Sequence, residues 1–226
     1  NDKHPRVRLE AVRACSFFLT AQAAETALLA LAHPTDQYIS YTLGETIRQI
    51  EPYWKKAIQE GAPLAADNPA GMNYLLRKVS NAELVKLPRT RIVYQALLSR
   101  DQMLHEHRHE GLMGLAKLNK TDMTAELLAA IGRLDKSDSP GARNVLFDLA
   151  HMFTSQEATA TAKYRGQIEK LASSARRRIT RKIAYVTLIT ADKSLDNAWR
   201  RASTSPRGLH DLVDAVPLIP DDKLRA

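Results

Sequence analysis

One cysteine, few aromatic residues and no long apolar run set the first limits on this chain of 226 residues. With Cys15 alone, no internal disulfide can form and no cysteine-built metal or haem centre can exist. Cys15 sits among apolar positions, so it reads as a small buried hydrophobe rather than a reactive thiol. No segment approaches the roughly 18–20 apolar residues of a membrane span, and no signal peptide opens the chain. The chain starts at Asn1, in a turn that leads into a helix, and is expected to be a piece of something longer. Aromatics make up 6% of the residues, and only Tyr185 and Trp199 lie near the basic stretch of the last third, a poor basis for base stacking. No glycine-rich phosphate loop, Ser/His/Asp set or Cys/His set stands out. The expectation is a segment without catalysis and without a cofactor.

What is present is helical periodicity. Pro5 suits a first helical turn, and Val7, Ala11, Ala14, Cys15 and Phe18 then recur at three- and four-residue steps. Pro5-x-x-Arg8 returns as Pro88-x-x-Arg91 and Pro140-x-x-Arg143, each followed by apolar residues at helical spacing. Arg8, Arg91 and Arg143 therefore read as a structural ladder of inter-repeat bonds. Thr20 caps a helix that Pro34 ends, and Thr35 and Asp36 cap the next, whose stripe is Ile39, Leu43, Ile47 and Ile50. Pro52 breaks that helix, with Tyr53 and Trp54 placed to seal the kink. Residues 61–71 form the clearest loop, and Ser80 with Glu83 has capping-box spacing. Further helices are expected at 140–153, 156–173, 176–191, 195–203 and 206–215, before an extended Pro-punctuated tail. About a dozen helices, short turns and almost no strand signal predict an all-α fold. Its expected form is a single α-solenoid domain of stacked antiparallel helix pairs over residues 1–226.

Two clusters carry possible chemistry. His105-Glu106-His107-Arg108-His109 matches H-E-x-x-H, which on a helix sets two imidazoles on one face beside a general base. The extended form of the motif fails, and only Glu126 offers a third ligand. The favoured reading leaves Leu104, Arg108, Leu112 and Leu115 on a packing face, with His105 and His109 at its edge as weak metal candidates. The second cluster is basic. Residues 163–226 hold 14 Lys and Arg against 7 Asp and Glu, while residues 1–162 hold 19 against 18. Arg176, Arg177, Arg178, Arg181 and Lys182 concentrate this charge at a helix start, where the dipole disfavours cations. Acids such as Glu157 or Glu169 would offset it, as would an acidic protein surface or phosphate. Lys193, Arg200, Arg201 and Arg207 widen the region if they share its face. A basic solenoid face that binds nucleic acid by phosphate contacts is the second reading.

HPRVRLEAVRA resembles the first helix of a HEAT repeat, in which an Arg near the helix start bonds to a neighbour. PRVRLEAVRACSFF, YTLGETIRQIEPYWKKAI, DNPAGMNYLL and ELVKLPRTRIVYQALLSR together resemble the HEAT-repeat, armadillo-like region of large exported bacterial proteins of planctomycete type. These are labelled membrane-bound dehydrogenase-like or haem-binding. The resemblance implies a scaffold between a dehydrogenase-like propeller and copper-protein-like and cytochrome c domains, in an exported or membrane-associated parent. Its partners would be adjacent domains of the same chain or another protein. The sequence contains no CxxCH, copper-ligand set or propeller strands, so no redox residue carries over.

Overall fold

The computed structural model describes residues 2–225. Among these residues it has sixteen α-helices, two short 3-10 turns and no strand. No described helix is long and apolar enough to cross a membrane. The chain divides into two compact units, Asn1–Ala96 and Leu97–Ala226.

In the first unit, helices α1 (Pro5–Cys15), α2 (Ala21–Leu28) and α3 (Gln37–Gln49) pack on one another. They are followed by α4 (Glu51–Gln59), α5 (Pro69–Leu76) and α6 (Asn81–Leu84). The expected caps form. Ala23 N–H donates to Thr20 Oγ1, Ile39 N–H to Asp36 Oδ1 at 2.8 Å, and Ser80 and Glu83 close a capping box. The stripe Ile39, Leu43, Ile47 and Ile50 is fully buried. At the Pro52 break, Trp54 is buried and its indole N–H donates to Ile47 O at 2.9 Å, while Tyr53 stays partly exposed. The 61–71 loop is pinned to α2: Ala65 N–H donates to Glu25 Oε1, and Asn68 Nδ2 donates to Leu28 O. α1 departs from its predicted face. It buries Arg8, Val12 and Cys15, while Val7, Ala11, Ala14 and Phe18 are exposed. The cause is Arg8, whose guanidinium must reach inward to backbone carbonyls and so sets the rotation of the helix.

Helix α7 (Arg91–Ser99) spans the division between the units. The second unit continues with α8 (His105–Asn119), α9 (Met123–Lys136), α10 (Ala142–Thr154), α11 (Ala158–Ala162) and α12 (Arg165–Ser174). It ends with α13 (Arg178–Asp192), α14 (Asp196–Ala202), α15 (Pro206–Val213) and α16 (Asp222–Arg225). Sequential neighbours pack as pairs: α8 with α9, α9 with α10, α12 with α13, and α14 with α15. α13 is the centre, touching α10, α11, α12, α14 and α15. Its run Ile183–Ile189 is buried without interruption, as expected of a helix enclosed on most sides.

The single helix predicted over 156–173 is broken between α11 and α12. There Tyr164 Oη donates to Asp122 Oδ2 at 2.6 Å and Lys163 Nζ lies 3.1 Å from the same oxygen. These side chains dock on the N-cap of α9 and turn the backbone out of the helix. The tail is not extended either. It forms a 3-10 turn at Val216–Leu218 and then α16.

Candidate basic groove

Of the three arginines read as a ladder, Arg8 belongs to a second recurrence. Arg91 and Arg143 lie on exposed positions, whereas Arg8, Arg108 and Arg181 are all buried. Each buried arginine is the fourth residue of its helix, α1, α8 and α13. Each turns back to carbonyls that precede the helix. Arg8 donates to Lys3 O at 2.8 Å, Arg108 to Leu98 O at 2.7 Å, and Arg181 to Ala175 O at 2.9 Å and Arg176 O at 3.1 Å. Each also reaches a later segment: Arg8 to Pro34 O, Arg108 to Asp148 Oδ2 at 2.7 Å, and Arg181 to Asp211 Oδ2 at 2.5 Å. Arginine suits this place because its planar fork presents several donors at once while keeping its charge. Burial pulls the Arg108 guanidinium down from its usual pKa, opposed by the Asp148 charge.

His105 and His109 are exposed on α8, with stacked rings 6.4 Å apart. Glu126, the possible third ligand, is buried and engaged, accepting from Asn119 Nδ2 at 2.7 Å and Thr121 Oγ1 at 2.6 Å. Among the described residues no group of three His, Cys, Asp or Glu side chains is arranged to hold a metal ion. Cys15 is buried, which pushes its thiol pKa up.

The basic cluster is extensively braced by acids, though not by Glu157 or Glu169. Asp135 accepts the backbone N–H groups of Arg176 and Arg177 at 2.7 and 2.9 Å. Arg176 pairs with Asp138 at 2.9 Å, Arg178 with Asp214 at 2.5 Å, and Lys182 with Asp214 at 3.5 Å. Arg181 belongs to the interior. Glu169 instead pairs with Arg165 and with Arg201, the latter at 2.6 Å. Arg200, Arg201 and Arg165 line a separate groove of about 500 Å³. There the Asp192 carboxylate, bonded by Arg165, is held below the usual carboxylate range. The basic residues of the last third thus fall into two groups on different grooves.

The larger groove, about 830 Å³, lies between α10 and α13. Its walls carry Arg143, Arg177, Arg178 and Lys182 against one carboxylate, Asp148, which is already bonded to Arg108. Arg178 and Lys182 share Asp214, whereas Arg143 and Arg177 have no carboxylate partner among the described residues. The Arg177 guanidinium donates to Ser137 O, and its Nε is buried without a partner. The helix starts at this end already face carboxylates: Asp135 accepts the backbone N–H groups of Arg176 and Arg177 before α13, and Asp101 accepts from Asn144 Nδ2 in the first turn of α10. The arrangement can hold an anion; no nucleophile–base pair faces it. Of this site the sequence reading named Arg177, Arg178 and Lys182. Arg143 was assigned to the ladder, and Asn144, Phe147 and Leu218 were missed.

No protein-family model, curated protein or solved structure matches the chain at a significant level.

Proposed function

We propose that this chain is a non-catalytic, HEAT-like helical-repeat scaffold that contacts an acidic protein surface through the basic end of the α10/α13 groove. The partner is an adjacent domain of a longer chain or a separate protein. The single observation that carries this reading is the four-cation wall of that groove, two of whose arginines lack a carboxylate. Repeat character is supported by Arg8, Arg108 and Arg181 at the fourth position of their helices and by the pairwise packing of sequential helices. On this reading α10 and α13 are like helices of neighbouring repeats, stacked into a solenoid. Redox modules of the kind implied by the sequence resemblance are one class of neighbour such a scaffold would position.

Nucleic acid is the second reading, favoured by the same cations. The aspartates that brace Arg176, Arg178, Arg181 and Lys182 weigh against it, because they leave only Arg143 and Arg177 of the groove without a carboxylate, few for a run of phosphate contacts. Fluorescence anisotropy separates the two. Labelled polyglutamate and a labelled DNA duplex are titrated at low and moderate salt. The proposal expects polyglutamate binding that Arg143→Glu abolishes, with little duplex binding. Tight duplex binding that falls steeply with salt would replace it by the nucleic-acid reading.

A further inference from the structure

The basic groove does not end at its cations. It shares Phe147, Ile179 and Leu218 with a second hollow of about 340 Å³. This continuation is lined mainly by Phe147, Ala150, Ile183, Val186, Pro217 and Leu218. At the basic end stand the first turns of both helices, with Arg143 on α10 and Arg178 on α13. At the apolar end stand later turns of the same two, through Thr154 and Val186. The helices therefore run side by side in one direction. Between them they form a trough whose cations without a carboxylate stand at one end, since Arg225 at the other end is paired with Asp222. From Arg143 to Thr154 it is about 16 Å long, at 1.5 Å per residue. The turn around Pro217–Pro220 borders the apolar part.

We infer that this trough binds a monomeric anionic amphiphile: a long-chain carboxylate whose head meets Arg143 and Arg177 and whose chain lies along Phe147, Ile183 and Leu218. Charge complementarity fixes the orientation. An extended peptide is disfavoured, because its buried amides need partners all along the trough. The apolar part offers few, and the Thr154 hydroxyl already donates to Ala150 O at 3.0 Å. A hydrocarbon chain needs none. Phe147 stands about half exposed beside His151, its ring 5.1 Å away edge-on, so covering Phe147 removes apolar surface from water. The inference stands apart from the proposed protein partner, since the trough accepts or refuses a chain whether or not an acidic surface also docks.

The test is calorimetric titration of the full chain with dodecanoate below its micellar concentration, with dodecanol, acetate and anionic vesicles as comparisons. The expected result is saturable one-to-one binding of dodecanoate, with dodecanol about tenfold weaker and acetate not detected. Arg143→Glu should weaken dodecanoate about tenfold, and Phe147→Ala about fivefold. Both side chains are exposed, so the folded state should survive, as circular dichroism will verify. Equal affinity for dodecanol would refute the anionic head site. Equal affinity for acetate would refute the role of the chain. Unchanged binding in both variants would place the ligand elsewhere and overturn the assignment. Absence of dodecanoate binding would overturn it too, including when vesicles bind, since that result describes a membrane surface and not a trough for monomers.

Discussion

Removing the Asp211 carboxylate is the sharpest single perturbation of the second unit. Asp211 is 3% exposed and Arg181 9% in their side chains, and they meet through Arg181 Nε at 2.5 Å and a guanidinium nitrogen at 3.3 Å. Asp211→Ala leaves two of the three guanidinium nitrogens without acceptors in a buried site; the third keeps Ala175 O and Arg176 O. The cost of leaving one charge of a buried pair unmatched is about 3–5 kcal/mol. In a unit of this size that lowers the melting temperature by roughly 10–20 °C. Arg176–Asp138 is the internal control, an ion pair of similar length whose side chains are 60% and 81% exposed. Asp138→Ala should cost under about 1 kcal/mol. Chemical denaturation followed by circular dichroism measures both. The double variant Arg181→Met/Asp211→Leu should recover part of the loss, since it removes the orphaned charge but also the donor to Ala175 O and Arg176 O and the carboxylate that Arg178 and Arg207 face. If Asp211→Ala costs no more than Asp138→Ala, Arg181 is not the interior anchor described here.

Two further outcomes follow from packing and charge. Leu112 is fully buried on α8, so Leu112→Ala should cost about 2–5 kcal/mol, and Leu112→Asp should prevent cooperative folding of that region, both read from denaturation curves. Glu83 has its pKa lowered to about 2, first by the hydrogen bond from Lys55 and then by the backbone N–H and hydroxyl of Ser80. Its contribution is therefore present above the unfolded value of about 4.3 and lost as the pH falls toward the folded one. Solvent screening holds it to about 1 kcal/mol. The stability gap between wild type and Glu83→Gln should narrow on acidification below about pH 4.3 and close as the pH falls through about 2, and a gap that widens would contradict the assignment.

Local signals were legible in the sequence wherever one residue decides the outcome. Thr20, Asp36 and the Ser80–Glu83 box cap the helices expected of them, and Pro52 breaks the chain where Trp54 seals it. Ile39, Leu43, Ile47 and Ile50 revealed a core face because each is apolar and nothing competes for its place. Periodicity failed on α1, where the residue that sets the rotation is a charged one. An arginine bonded to carbonyls of a preceding turn leaves no hydrophobic trace, so Arg8 was visible only by its offset from Pro5 and Arg108 only as a step in H-E-x-x-H. Matching on Pro-x-x-Arg selected Arg91 and Arg143, which share that offset but not the burial. The break before α12 depends on Asp122, 42 residues from Tyr164, and no local pattern encodes it. The groove was half legible for the same reason: its cations cluster in sequence, whereas Phe147 and Leu218 reach it only through the fold.

The most direct test of the proposed contact is residue-resolved. Amide chemical shifts of the full chain are recorded by NMR while unlabelled polyglutamate is added. The account predicts shifts concentrated at the starts of α10 and α13, around Arg143, Arg177 and Lys182, that vanish in Arg143→Glu. Shifts centred on the Arg165/Arg200/Arg201 groove, or none in the second unit, would contradict it.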